Sequence, residues 1–207
     1  MAASLTFGGF QAAEVSVPDV WVEGGELRCS IRAAHVLDDR ARETIEQGGT
    51  SALDYTVELY LQRSGWFDAM VATRTLPFRI SYDAFERKYR LLSEDIRMKS
   101  ESFQEVADQC TRLAEFSLGR VDELDLEPDG RYYIVVHGRY QPVVTETLEE
   151  IRSWLGGPGG QQRREQEREG GGIGSRLART LMNAAGFGEK ELQGESVRFR
   201  PADLPER

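Results

Sequence analysis

Between Leu53 and Arg63 large apolar side chains take alternate positions, at Leu53, Tyr55, Val57, Leu59 and Leu61, with Asp54, Thr56, Glu58, Tyr60 and Gln62 between them. Successive side chains of a strand point to opposite faces, so this rhythm describes a strand buried on one side and wet on the other. It recurs at Leu27, Cys29 and Ile31, separated by Arg28, Ser30 and Arg32. Parallel sheets are covered on both faces and read as continuous apolar runs. Half-wet strands therefore predict an antiparallel fold and argue against an open α/β nucleotide binder.

The other elements fall into place around these strands. Glu14 to Val22 and Leu27 to Ala34 predict a hairpin across Glu23-Gly24-Gly25-Glu26, with Pro18 putting the first strand at an edge or a bulge. Asp38 or Asp39 caps a short helix through Ile45, which Gly48-Gly49 stops. A long strand from Ala52 to Arg63 reverses at Ser64 to Asp68 into a strand from Ala69 to Ile80, whose Pro77 points to an edge. After a turn at Ser81 to Ala84, a strand from Phe85 to Leu92 places Phe85, Tyr89 and Leu91 on one face. Ser102 and Glu105 form a capping box for a helix with the apolar stripe Phe103, Val106, Ala107, Cys110, Leu113 and Ala114. Pro128-Asp129-Gly130 turns the chain into a strand from Arg131 to Tyr140, with Tyr132, Ile134, Val136 and Tyr140 on one side.

Short strands separated by turns, helices inserted as plugs and no βαβ alternation predict a mainly β protein. The expected architecture is an antiparallel two-sheet sandwich, immunoglobulin-like, with two or three short helices. Residues 14–155 form this domain, ending in a short helix from Thr145 to Leu155. Residues 156–174 are a Gly-rich charged linker, and 175–207 carry a helix from Arg176 to Ala185 and a strand from Ser196 to Arg200. Residues 1–13 lack the basic and apolar regions of a full secretory signal, while Ala12 and Ala13 resemble the end of a cleaved leader.

The formal charge of −9 is uneven: residues 1–160 hold 17 basic and 27 acidic side chains, and 161–207 hold nine and eight. An acidic body repels phosphate backbones and anionic lipid, which argues against nucleic acid and against polybasic membrane attachment. No stretch approaches the 18 or so apolar residues of a membrane-spanning helix.

Catalytic and ligand-binding signatures are also missing. Gly170 to Ser175 precedes a helix, yet it lacks the Lys-Ser/Thr pair and the leading strand of a phosphate loop, so it reads as linker. His35 and His137 have no second ligand at metal spacing, and His137 belongs on the solvent face beside Arg139. Asp38-Asp39 and Glu149-Glu150 suit helix starts or exposed helix, and Ser64, Ser81 and Ser93 lie in turns without a nucleophile-elbow pattern. Cys29 and Cys110 each share an apolar face and read as two buried thiols, with a bridge between them as the alternative in an oxidising compartment. The expectation is a protein without enzymatic activity, cofactor or metal.

Two features stand out as contact elements. Trp66 and Phe67 put two large apolar side chains at a hairpin tip, where they need either a core to enter or a partner to touch. Leu177, Leu181 and Met182 stripe a tail helix beyond a flexible linker, which either packs back on the body or docks on another chain or a membrane surface.

Read in order, the strand pair, the Gly-stopped helix, Tyr55 to Leu61 followed by Trp66-Phe67-Asp68, Arg79 to Asp83, Lys88 to Leu91, Ser102-Phe103 and Arg131-Tyr132-Tyr133 resemble an uncharacterised bacterial family, domain of unknown function 4390. The resemblance covers about residues 14 to 150. It implies a leader or anchor and hence an envelope or periplasmic location, and it brings no activity or site residues. The chain departs from the pattern in lacking that leader and in its long tail after Gly156; without export the location is cytoplasmic. The expected function is a noncatalytic envelope binding or scaffold module whose partner is another envelope protein. The alternatives are a small-molecule or lipid carrier using a cavity between the sheets, or an unrecognised hydrolase.

Overall fold

The computed structural model of the chain describes residues 12–65, 67–143 and 188–207. Its strands are β1 (Glu14–Ser16), β2 (Val20–Glu23), β3 (Glu26–Ala34), β4 (Thr50–Leu61), β5 (Ala69–Asp83), β6 (Lys88–Leu92), β7 (Arg97–Ser100), β8 (Arg112–Arg120), β9 (Tyr132–Val143) and β10 (Lys190–Glu195). Two helices, α1 (Asp39–Glu46) and α2 (Phe103–Thr111), interrupt them. The strands form two antiparallel sheets, as the alternating pattern predicts.

In the smaller sheet β3 is central, with β1 and β2 along one side and β8 along the other. Pro18 separates β1 from β2, and Gly24 and Gly25 join β2 to β3. Both glycines have positive φ, +57° and +78°, the conformation that lets a two-residue turn follow the twist of its strands. The larger sheet runs β10-β9-β4-β5-β6-β7. Its register puts Leu53 between Phe78 and Tyr140, and Leu59 between Ala72 and Ile134, so apolar positions meet on one face across three strands.

That face and the inner face of β3 enclose the core. Leu27, Cys29, Ile31, Leu53, Tyr55, Val57, Leu59, Phe78, Ile80, Ile134 and Val136 are fully buried there. The Tyr55 hydroxyl donates to the Cys110 carbonyl at 3.0 Å, fastening the middle of β4 to the last turn of α2. Asp38 caps α1 by accepting the Ala41 N–H at 2.9 Å, and the helix buries Ala41 and Ile45. Ser102 caps α2 by accepting the Glu105 N–H at 3.4 Å. The return arm of the expected capping box runs through Ser100, whose hydroxyl bonds the Glu105 carboxylate and accepts the Ser102 N–H at 2.9 Å. Cys29 and Cys110 are free and buried, and burial pushes each thiol up to about 12.

Four details differ from the sequence reading. Helix α2 stops at Thr111, and Leu113 and Ala114 belong to β8, where Leu113 faces Ile31 of β3. Pairing in the sheet overrides a helical spacing that Leu113 also satisfies. Phe85 is fully exposed in the turn at 84–87, because β5 continues to Asp83 and the Asp83 carboxylate accepts the N–H groups of Phe85 and Glu86. β7 has no apolar alternation to announce it and sits at the sheet edge. The last strand lies at Lys190–Glu195, while over 196–200 a single bridge joins Phe199 to Tyr132. Residues 188–207 thus pack into the sandwich instead of standing apart as an appendage. The expected helices at 145–155 and 176–185 and the linker at 156–174 lie outside the described residues.

Candidate functional site

The β4–β5 connection closes one end of the larger sheet, and its order comes from one carboxylate. Asp68 accepts the backbone N–H of Arg63 at 3.0 Å across the turn and the hydroxyl of Tyr133 from β9 at 2.7 Å. The Arg63 amide and then the Tyr133 hydroxyl hold the Asp68 carboxyl below its ordinary value. The Gln62 N–H reaches the Arg131 carbonyl at 2.7 Å, so the β9 chain is tied to the same turn.

Tyr60 and Tyr133 are direct cross-strand partners on the solvent-facing side of the sheet. Their rings stack with centroids 5.5 Å apart and planes 16° from parallel. The guanidinium of Arg198 lies 5.3 Å over the Tyr133 ring and pairs with Glu195 at 3.4 Å. The Tyr60 hydroxyl donates to Glu58 at 2.9 Å. Tyr133 is pushed up to about 12, by burial first and then by its hydrogen bond to Asp68. Both phenols therefore stay protonated donors near neutral pH.

Three apolar residues adjoining members of this array in the chain or by register are exposed. Phe67 is 96% exposed, Met70, the partner of Tyr60 in β5, is 55% exposed, and Val197, next to Arg198, is 76% exposed. Of the residues expected to make contacts, Phe67 lies at this tip in solvent and not in the core. Trp66, Leu177, Leu181 and Met182 lie outside the described residues. Met70, Tyr60, Tyr133, Val197 and Arg198 were missed by sequence reasoning. The alternation in β4 does assign Tyr60 to the wet face, but only the register brings Tyr133 onto its ring.

The other expectations also receive places. His137 is on the solvent face, 3.5 Å from Glu58, and His35 is exposed beyond the end of β3. Among the described residues no three His, Cys, Asp or Glu side chains converge at metal-binding spacing. No helix among them is long and apolar enough to cross a membrane. An open hollow of about 860 Å³ lies between the end of β3 and α2, and its walls mix Asp19, Arg32, Asp108 and Arg112 with Leu37 and Ala107. It opens on the surface, and its walls come mainly from the end of β3, the segment after it and α2.

Comparison with known proteins gives no match among curated proteins and none among solved structures. The model of the family described as Domain of unknown function (DUF4390) matches residues 11–142, well over half of the chain, and the protein belongs to that family.

Proposed function

We propose that the protein is a noncatalytic binding or scaffold module of the bacterial envelope that engages a protein partner through the β4–β5 tip. The observation that carries this reading is Phe67, fully exposed and next in the chain to Asp68, whose carboxylate accepts the hydroxyl of Tyr133 in the stacked Tyr60–Tyr133 pair. Single exposed apolar residues are common, but here the neighbours are already ordered, so contact costs little further side-chain freedom. Aromatic side chains of this kind, with a protonated hydroxyl at one end, are enriched where proteins bind each other. The envelope placement follows from what the family resemblance implies.

A photo-crosslinking side chain placed at Phe67, with another at Phe85 as control, tests the contact. Both positions are fully exposed, but they lie at opposite ends of the sheet. The reading expects a discrete adduct with an envelope protein from position 67 and none from 85. It also expects Phe67→Ser, alone or with Trp66→Ser, to abolish that adduct from a crosslinker at Met70. Phe67→Ser should leave the cooperative melt within about 0.5 kcal/mol of the parent, as for a surface substitution. Equal crosslinking from both positions, or a Phe67→Ser chain that melts without cooperativity, would refute it.

A further inference from the structure

The exposed edge of β2 is not bare. Val22 donates its N–H to the Pro205 carbonyl at 3.0 Å, and its carbonyl accepts the Arg207 N–H at 3.0 Å. Val22 and Glu206 face each other as a parallel bridge. On its other side Val22 pairs with Leu27 of β3, so residues 205–207 extend the smaller sheet by one short strand. They meet the backbone groups that an edge strand otherwise offers to another chain.

The side chains add selectivity to this ladder. Trp21 points to the solvent side of the sheet, opposite Arg28, yet is only 2% exposed. The Arg207 guanidinium lies 4.6 Å over its ring. The neighbouring Arg28 is bound by Glu23 at 3.0 Å, Glu26 at 3.1 Å and Glu115 at 3.5 Å, an excess of negative charge around the tryptophan that favours a second cation there. Leu204, in extended conformation, packs against the core just ahead of the bridge. A strand edge, an indole face and an acidic rim are the elements by which added strands are recognised.

We propose that the β2 edge is a strand-addition site for an extended peptide of the pattern Leu-Pro-X-Arg, filled in cis by Leu204, Pro205, Glu206 and Arg207. An external protein segment with that pattern binds when the resident one is displaced. The site is separate from the β4–β5 tip, and neither reading depends on the other. Because the tethered copy acts at an effective concentration of about millimolar, an external peptide competes poorly until the resident contact is weakened.

The test is an amide-shift titration with an acetylated peptide of residues 201–207. In a chain lacking residues 204–207, the peptide should shift the Val22 amide and the Trp21 indole N–H saturably toward their positions in the full chain. The intact chain should show no such shift. Replacing arginine by alanine in the peptide should weaken binding by about tenfold, the loss expected of a partly desolvated cation–π contact. Should the shortened chain fail to fold, Arg207→Ala in the full chain serves instead and should admit the peptide at Val22. A folded variant that shows no saturable shift, or an alanine peptide that binds as well as the arginine one, overturns the proposal.

Discussion

Gly194 tests whether the strand after residue 187 is an integral part of the sandwich. It lies in β10 opposite Val136, facing inward, and a Cβ placed on it would meet the Val15 carbonyl oxygen at 2.1 Å and the Val15 carbonyl carbon at 2.8 Å. The obstacle is the backbone of β1, itself paired to β3, so no side chain can swing aside. Relief requires β1 and β10 to separate by roughly 1 Å, and overpacking of that kind costs about 1–3 kcal/mol, toward the upper end where backbone must move. Gly194 is not among the glycines with positive φ, so alanine recovers about 0.4–1 kcal/mol through the unfolded chain. The net expectation for Gly194→Ala is a loss of about 2 kcal/mol. Urea unfolding should show this as a midpoint about 1 M lower at unchanged slope, if the slope is about 2 kcal/mol/M. Gln193→Ala, on the exposed side of the same strand, should stay within about 0.5 kcal/mol. A Gly194→Ala chain as stable as its Gln193→Ala counterpart would mean that β10 does not press on β1, and the joining of the two sheets along that side would have to be abandoned.

Tyr55→Phe removes the hydroxyl that satisfies the Cys110 carbonyl inside the core, and should cost about 1–3 kcal/mol in the same urea assay. Cys29 and Cys110 should resist a thiol reagent at pH 8 in the native state and give two reactive thiols per chain in guanidinium, whereas prompt native labelling would contradict their burial. Asp38 has its carboxyl raised by burial but lowered more by Lys190 at 2.8 Å and by the Ala41 amide, so its folded value falls below the ordinary 3.8. A lowered carboxyl contributes stability that is complete above the unfolded value and lost as pH falls through the folded one. Asp38→Asn should therefore lose less stability than the parent between pH 5 and pH 2, measured by urea midpoints.

The parts legible in the sequence are those whose local chemistry agrees with their tertiary place. β4 alternates because one face meets β3 and the other meets water, and Asp38 reads as a cap because it lies directly before an amphipathic turn. The parts that were not legible are set by neighbours distant in sequence. Leu113 continues the spacing of Val106 and Cys110, and only pairing with Ile31 makes it a strand residue. Lys190–Glu195 holds one large apolar residue, Leu192, and becomes a strand because β9 offers it an edge. At the tip, Phe67 was visible as an apolar residue in a turn, but the stack beside it requires Tyr60 and Tyr133 to meet across 73 positions through the β4–β9 register.

The two sheets differ in width, and that difference explains where the chain needs protection. The smaller sheet is three strands across, four where residues 205–207 join it at Val22, and the larger one contains six strands, so part of the inner side of the larger sheet has no sheet above it. Helix α2 packs against β6 and β7 as well as β3 and β8, covering one such part. Another is marked by Arg74, which pairs with the fully buried Val57, shares its face by register and yet is exposed. The covered area therefore ends between β4 and β5 at that level. Just there β5 also loses its outer neighbour, since β6 pairs only with residues from Arg79 to Asp83. Around Arg74 the open edge carries Thr73, Thr75 and Pro77 beside Leu76, and polar or proline residues of this kind keep edge strands from pairing with other chains at that level. On the smaller sheet the edge at β2 is closed by a different device, residues 205–207, which occupy the ladder itself. At the level of Arg74 the edge is guarded by its own residues, which no displacement removes, whereas an edge guarded by a tethered segment is freed when that segment leaves. This contrast makes β2, and not β5, the edge at which strand addition is to be sought.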